Sequence, residues 1–224
     1  LLIGMGAAGR EILSQIAQVF NSRFGETWPA NIHLLQVDIQ PENQFQKLEP
    51  PPGLSPVQHL ILQPNYREVE RNLRERPNEW GHWSWYKNAA PTYERARSRM
   101  ALFFDLKDGG ENSRLWTSIT RAHQGLKAPV VRLIGSTFDD ASSGMLVDMI
   151  RICQLASGRP NMDVQLWLMG PQNRDWSGRV NEPQRKLAPS EQLVRSLATL
   201  RELERFQRNE TNAFQYVPKD SKYD

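Results

Sequence analysis

The chain has 224 residues, 28 basic against 25 acidic side chains mixed along its length, and a single cysteine, Cys153. A chain of this size can bury a full core without a staple, its lone thiol excludes an internal disulfide and fits a reducing, cytoplasmic setting, and a net charge of +3 is too small to imply nucleic acid. No stretch approaches the roughly eighteen apolar residues of a membrane span, so no membrane partner is expected. Leu1 already lies in an apolar run. Residues 1–224 therefore read as one domain inside a longer native chain.

Leu1 to Gly4 reads as the end of a buried strand. Gly9 to about Phe20 reads as a helix, with Ile12, Leu13, Ile16, Val19 and Phe20 at helical spacing. After a turn over 21–30, "NIHLLQVDIQ" (31–40) is a second apolar strand carrying Asp38, and "LEPPPGLSP" (48–56) is an extended connector. A charged surface helix over 65–76 stops before Pro77. Helices follow over roughly 93–105 and 112–125.

"APVVRLIGS" (128–136) is a strand, "TFDDAS" a loop and "SGMLVDMIRICQLAS" (143–157) a helix, followed by a buried strand in "MDVQLWLMGP" (162–171). The last element is a long amphipathic helix with Leu193, Leu197, Leu200 and Leu203 or Phe206 on its inner face. Strands alternating with helices predict an α/β, Rossmann-like, mainly parallel sheet with helices on both faces. Ligands of such sheets bind outside the carboxyl ends of the strands, where two glycine- or serine-rich turns fall.

The first turn is Gly4-x-Gly6-x-x-Gly9, with the small Ala7 and Ala8 inside it. Between a strand and a helix, this spacing lets backbone N–H groups and the helix N-terminus approach a phosphate. It serves equally as a tight packing turn. In the dinucleotide version an acidic residue about 20 positions further on holds the ribose. Asp38 ends the second strand, but 29 positions separate it from Gly9. It reaches a ribose or simply faces solvent.

"VVRLIGSTFDDASSGMLVDMIRICQ" resembles the signature region of the tubulin/FtsZ superfamily, above all its prokaryotic tubulin-like branch, where a strand runs into G-S-x-x-G-G-T-G-S-G-M and a helix. Gly135, Ser136, Ser143, Gly144, Met145 and Asp148 stand at the matching positions. "LLIGMGAAGREIL" is similar to the family's first glycine loop and "LLQVDIQPEN" to its second strand. "APTYERARSRMALF" is similar to G-A-G-x-x-R-x-x-G-R-x-A-L, keeping Arg95, Arg99, Ala101 and Leu102. "VQLWLMGP" and "SLATLRELERFQ" continue the likeness in order.

The resemblance implies a GTP- or GDP-binding domain that associates head to tail or with other protein subunits, with Mg²⁺ present only if nucleotide binds. It assigns the nucleotide to Gly4, Gly6, Ala7, Ala8, Gly9, Asp38, Ala90, Gly135, Ser136, Ser142, Ser143 and Gly144. The departures point the other way. Asp139, Asp140, Ala141 and Ser142 replace G-G-T-G, and Ala90, Pro91 and Thr92 replace G-A-G. At about 4 Å a moderately screened like-charge contact costs several kcal/mol, so two carboxylates weaken phosphate binding unless a metal bridges them. The acidic loop with which the family completes GTP hydrolysis in a neighbouring subunit has no counterpart here.

The expectation is thus a tubulin-like assembly subunit without GTPase activity. The alternatives are an active GTP-binding, filament-forming homologue and an NAD(P)-dependent oxidoreductase. "EWGHWSWYKN" interleaves aromatics with cations, as base-stacking surfaces do, but without a basic stripe it reads as a protein contact surface. His33, His59, His82 and His123 lack metal-ligand spacing, and no catalytic residue is assigned.

Overall fold

The computed structural model describes residues 1–25, 27–39, 57–62, 71, 93–109, 113–124, 126, 128–159, 162–171 and 188–208. They form, in chain order, β1 (Leu2–Met5), α1 (Gly6–Phe24), β2 (Leu34–Ile39), β3 (Gln58–Leu62), α2 (Tyr93–Gly109), α3 (Arg114–His123), β4 (Val131–Ser136), α4 (Asp140–Ala156), β5 (Val164–Met169) and α5 (Pro189–Gln207). The five strands make one sheet in the order β3-β2-β1-β4-β5. Every pairing is parallel. The expected Rossmann-like α/β architecture is the one observed.

Alternation along the strands sorts side chains to two faces. On one face Leu13 and Ala17 of α1 pack with Leu34, Val57 and Ile134. On the other, Ile3, Met5, Leu35, Val37 and Leu133 meet Leu102 of α2, Leu115 and Ile119 of α3, and Met145, Met149 and Cys153 of α4. Each such fully buried aliphatic side chain contributes about 1.5–3 kcal/mol by leaving water. Helices thus cover both faces, as parallel strands require.

Several expectations are corrected. β3 was not foreseen. It forms because "VQHLIL" delivers Val57, Leu60 and Leu62 to the core. α1 starts at Gly6, so the glycine stretch is a strand end and a first helical turn, and Val19 on that helix is exposed. α4 starts at Asp140 because Asp139 caps it, which shortens the expected loop "TFDDAS" to three residues. β5 is not wholly buried. Its Trp167 is 47 % exposed, with the Arg132 guanidinium 5.3 Å from its ring.

The largest correction concerns α5. Leu203 is buried and Phe206 packs on the core, but Leu193, Leu197 and Leu200 are 53, 49 and 50 % exposed, while Arg195, Ser196 and Thr199 are buried. The inward positions are claimed by polar groups with partners in the β4–α4 turn. The connector over 48–56, the helix over 65–76 apart from Arg71, the aromatic segment over 79–88 and Ala90, Pro91 and Thr92 lie outside the described residues.

Candidate functional site

The chain enters the sheet at its centre, runs outward through β2 and β3, then returns to the other side of β1 for β4. The crevice between the carboxyl ends of β1 and β4 is therefore the topological switch point, the ligand position of open α/β sheets. The N-termini of α1 and α4 both open there. Gly4 lies one residue before the end of β1 beside them; Gly6, Ala7, Ala8 and Gly9 begin α1; Gly135 and Ser136 end β4; Ser142, Ser143 and Gly144 lie in the first turns of α4.

Steric contacts explain the glycines. A Cβ on Gly9 would stand 2.6 Å from the Gly4 carbonyl carbon and 2.7 Å from the Ile134 carbonyl oxygen, so its absence lets α1 lie directly on β1 and β4. Gly6 has φ +64°, a left-handed conformation that L side chains adopt only at a cost. Gly144 faces the Arg95 carbonyl of α2, and Gly135 faces the Ser142 hydroxyl. These are close-packing positions first.

The β4–α4 turn uses its own hydrogen-bond donors. The Ser136 hydroxyl accepts from the N–H groups of Phe138 and Asp139, at 3.1 and 3.3 Å. Thr137 N–H donates to the Met169 carbonyl, Ser142 N–H to Asp139 Oδ1 at 2.6 Å, and Ser143 N–H to the Asp139 carbonyl. Ser142 hydroxyl donates to the Ser136 carbonyl and accepts from Ser136 N–H. A phosphate-wrapping turn needs such donors pointed outward. Here they are spent inside.

Asp139 reaches across the crevice. A Cβ on Gly6 would lie 2.7 Å from its Oδ1 and 2.9 Å from its Oδ2, so the carboxyl group rests on the turn that opens α1. Met5, the N-cap position of α1, supplies no side-chain cap. Asp139 Oδ2 is buried and, among the described residues, has no hydrogen-bond partner. Burial pushes the Asp139 carboxyl up to about 7, with the charge of Asp38 adding to the rise, against the pull of the Ser142 N–H, Arg195 and Arg10.

Asp140 has a different task. Its carboxylate pairs with the buried Arg195 of α5, which also holds Glu191 at 3.0 Å. The Thr137 hydroxyl shares a 2.8 Å hydrogen bond with Ser196, and Thr199 donates to the Thr137 carbonyl at 2.9 Å. α5 is thereby latched onto the turn. The two acids face different partners.

The arginines that carry the family likeness are ties between helices. Arg95 donates to the Ser143 carbonyl and to Glu202, and Arg99 grips Asp148 with two hydrogen bonds of 2.7 and 3.1 Å. Asp38 lies at the end of β2 with Arg10 at 4.0 Å, and it accepts from Ile39 N–H. Gln36 was not foreseen. Buried at 2 % exposure, it donates from Nε2 to the Gly6 carbonyl at 3.0 Å, so it fixes the glycine turn from β2. Its signal was an amide in the apolar run "LLQVDI". No family model, curated protein or solved structure matches the chain.

Proposed function

We propose that this chain is the nucleotide-binding-type domain of a tubulin-like protein whose phosphate turns have been rewritten, and that it works as a structural or assembly subunit without GTPase activity. One observation carries the reading: the Asp139 carboxyl rests on Gly6, where the first glycine turn would receive a phosphate. The donors spent inside the β4–α4 turn support it. Self-association head to tail, a heterologous contact that yields filaments if it does not close, or association with other subunits would then proceed without nucleotide. A dinucleotide reading draws on Asp38 at the end of β2 and on the strand order, yet its pyrophosphate would meet the same carboxyl.

The test is thermal denaturation of the purified protein with GTP, GDP or NADH in Mg²⁺ buffer, paired with sedimentation of assemblies. We expect no saturable rise in Tm with any of the three, and the same sedimentation with and without GTP. Saturable stabilisation by GTP together with its hydrolysis on assembly would sink the proposal, whereas stabilisation by NADH alone would install the oxidoreductase reading.

A further inference from the structure

We propose that the exposed face of α5 is a docking surface for a helical segment of a partner protein, which lays apolar residues along the leucine stripe and acidic residues over the arginines that follow it. This does not rest on the reading above, since no part of the face belongs to a glycine turn. The stripe is Leu193, Leu197 and Leu200, with Val194 beside it, all exposed. At helical geometry the three leucines fall within an arc of about 60° and span about 10 Å, two turns. That is the seam spacing of one helix packed on another.

The helix cannot bury these leucines by rolling. Its inner face is held by Arg195 on Asp140 and Glu191, by the hydrogen bond between Thr137 and Ser196, and by Thr199 on the Thr137 carbonyl. Turning the leucines inward would strip a buried guanidinium of its carboxylates, which is strongly unfavourable. The ties that latch α5 thus keep its stripe outside.

Charge selects the occupant. Beyond Leu200 the exposed face carries Arg201, Arg205 and Arg208, and of the described residues there the one acid is Glu204, held by Arg208 at 2.6 Å. A helix running antiparallel to α5 brings its first turn over these arginines, where acidic side chains also suit its own dipole. A second copy lacks the complement. Antiparallel and centred on Leu197, it sets Arg201 against Leu193 and Arg205 against Pro189; parallel, it sets arginine against arginine. Nor does the pattern suit a lipid surface, because a membrane-lying helix keeps one apolar face along its length, whereas here arginines interrupt it.

The test pans the purified chain against a displayed library of amphipathic helices of about 18 residues, with leucines fixed at seam spacing and the other positions randomised among Asp, Glu, Lys, Arg and Gln. We expect the enriched helices to carry Asp or Glu in their first turn. A synthetic peptide of the enriched sequence should bind Leu197→Gln about tenfold more weakly than wild type. It should bind the double variant R201Q/R205Q about three- to fivefold more weakly, with a flatter salt dependence. L197Q should keep the wild-type Tm. Failure to enrich, enrichment without first-turn acids, or binding indifferent to L197Q overturns the proposal. A fall of more than about 5 °C in the Tm of L197Q also overturns it, because the stripe is then already packed within the chain. So does a dimer in sedimentation velocity that L197Q abolishes, which makes a second copy the occupant. Cosedimentation with phosphatidylserine vesicles that L197Q abolishes overturns it in favour of a membrane.

Discussion

Asp139 holds two positions at once, N-cap of one helix and neighbour of the glycine that opens another, and the second position removes its carboxyl from water. Its folded pKa of about 7 lies above the ordinary 3.8, so between those values the folded chain holds a proton that the unfolded chain has released. Stability then falls as pH rises, by up to about 1.4 kcal/mol per pH unit, and levels off above pH 7. Half-buried His59 and buried His123, whose pKa values burial lowers, act in the opposite sense. The difference between wild type and Asp139→Asn isolates the carboxyl: urea denaturation from pH 5 to 8 should show D139N gaining on the wild type up to about pH 7 and running parallel above it. A constant difference would place the carboxyl in water. The sequence displayed two acids where glycines were expected, but their division of labour was illegible. It depends on Gly6 and Arg195, which lie more than fifty positions from them in either direction.

At the scale of elements, what could be read was what local periodicity encodes. β1, β2, β4 and the body of α4 follow from apolar runs with clear ends. β3 escaped because five residues following a proline-rich stretch carry little periodic signal. α5 misled for a physical reason: its leucine stripe is real, but the face that turns inward is the one whose Arg195, Ser196 and Thr199 satisfy the β4–α4 turn. Polar partners outbid apolar area there. Alanine substitution reads the helix's orientation directly. Leu203→Ala should cost about 2–5 kcal/mol in urea unfolding, as buried leucines do, and Leu197→Ala should stay within about 0.5 kcal/mol. Equal costs at the two positions would mean that α5 turns its leucine stripe inward after all.

Across the whole molecule, one cluster joins four strands, α2, α3, α4 and α5 around Cys153, whose thiol burial pushes up to about 12. Such a thiol is neither nucleophile nor redox sensor. It is a reporter. Labelling by a thiol reagent should be negligible in the native protein and rise with urea in step with the loss of circular dichroism, because the thiol is buried in the core cluster. Labelling that runs ahead of unfolding would reveal a partly opened native state. The fold class was legible because alternation of strands and helices leaves few topologies; the site was only half legible, since glycine spacing marks where backbones approach and is silent about what fills the gap.

The strand order also has a history in time. β1 pairs with β2 some 30 residues on, Leu2 against Leu34, but its other neighbour is β4, with Gly4 beside Ile134. At synthesis rates of about 5–20 residues per second, roughly 5–20 seconds pass between the emergence of β2 and that of β4. Throughout that interval the central strand of the finished sheet is an edge, apolar and unpaired on one side. The nascent half-sheet is thus at its most adhesive before the very segment that shields it, β4 with its acidic turn, has left the ribosome.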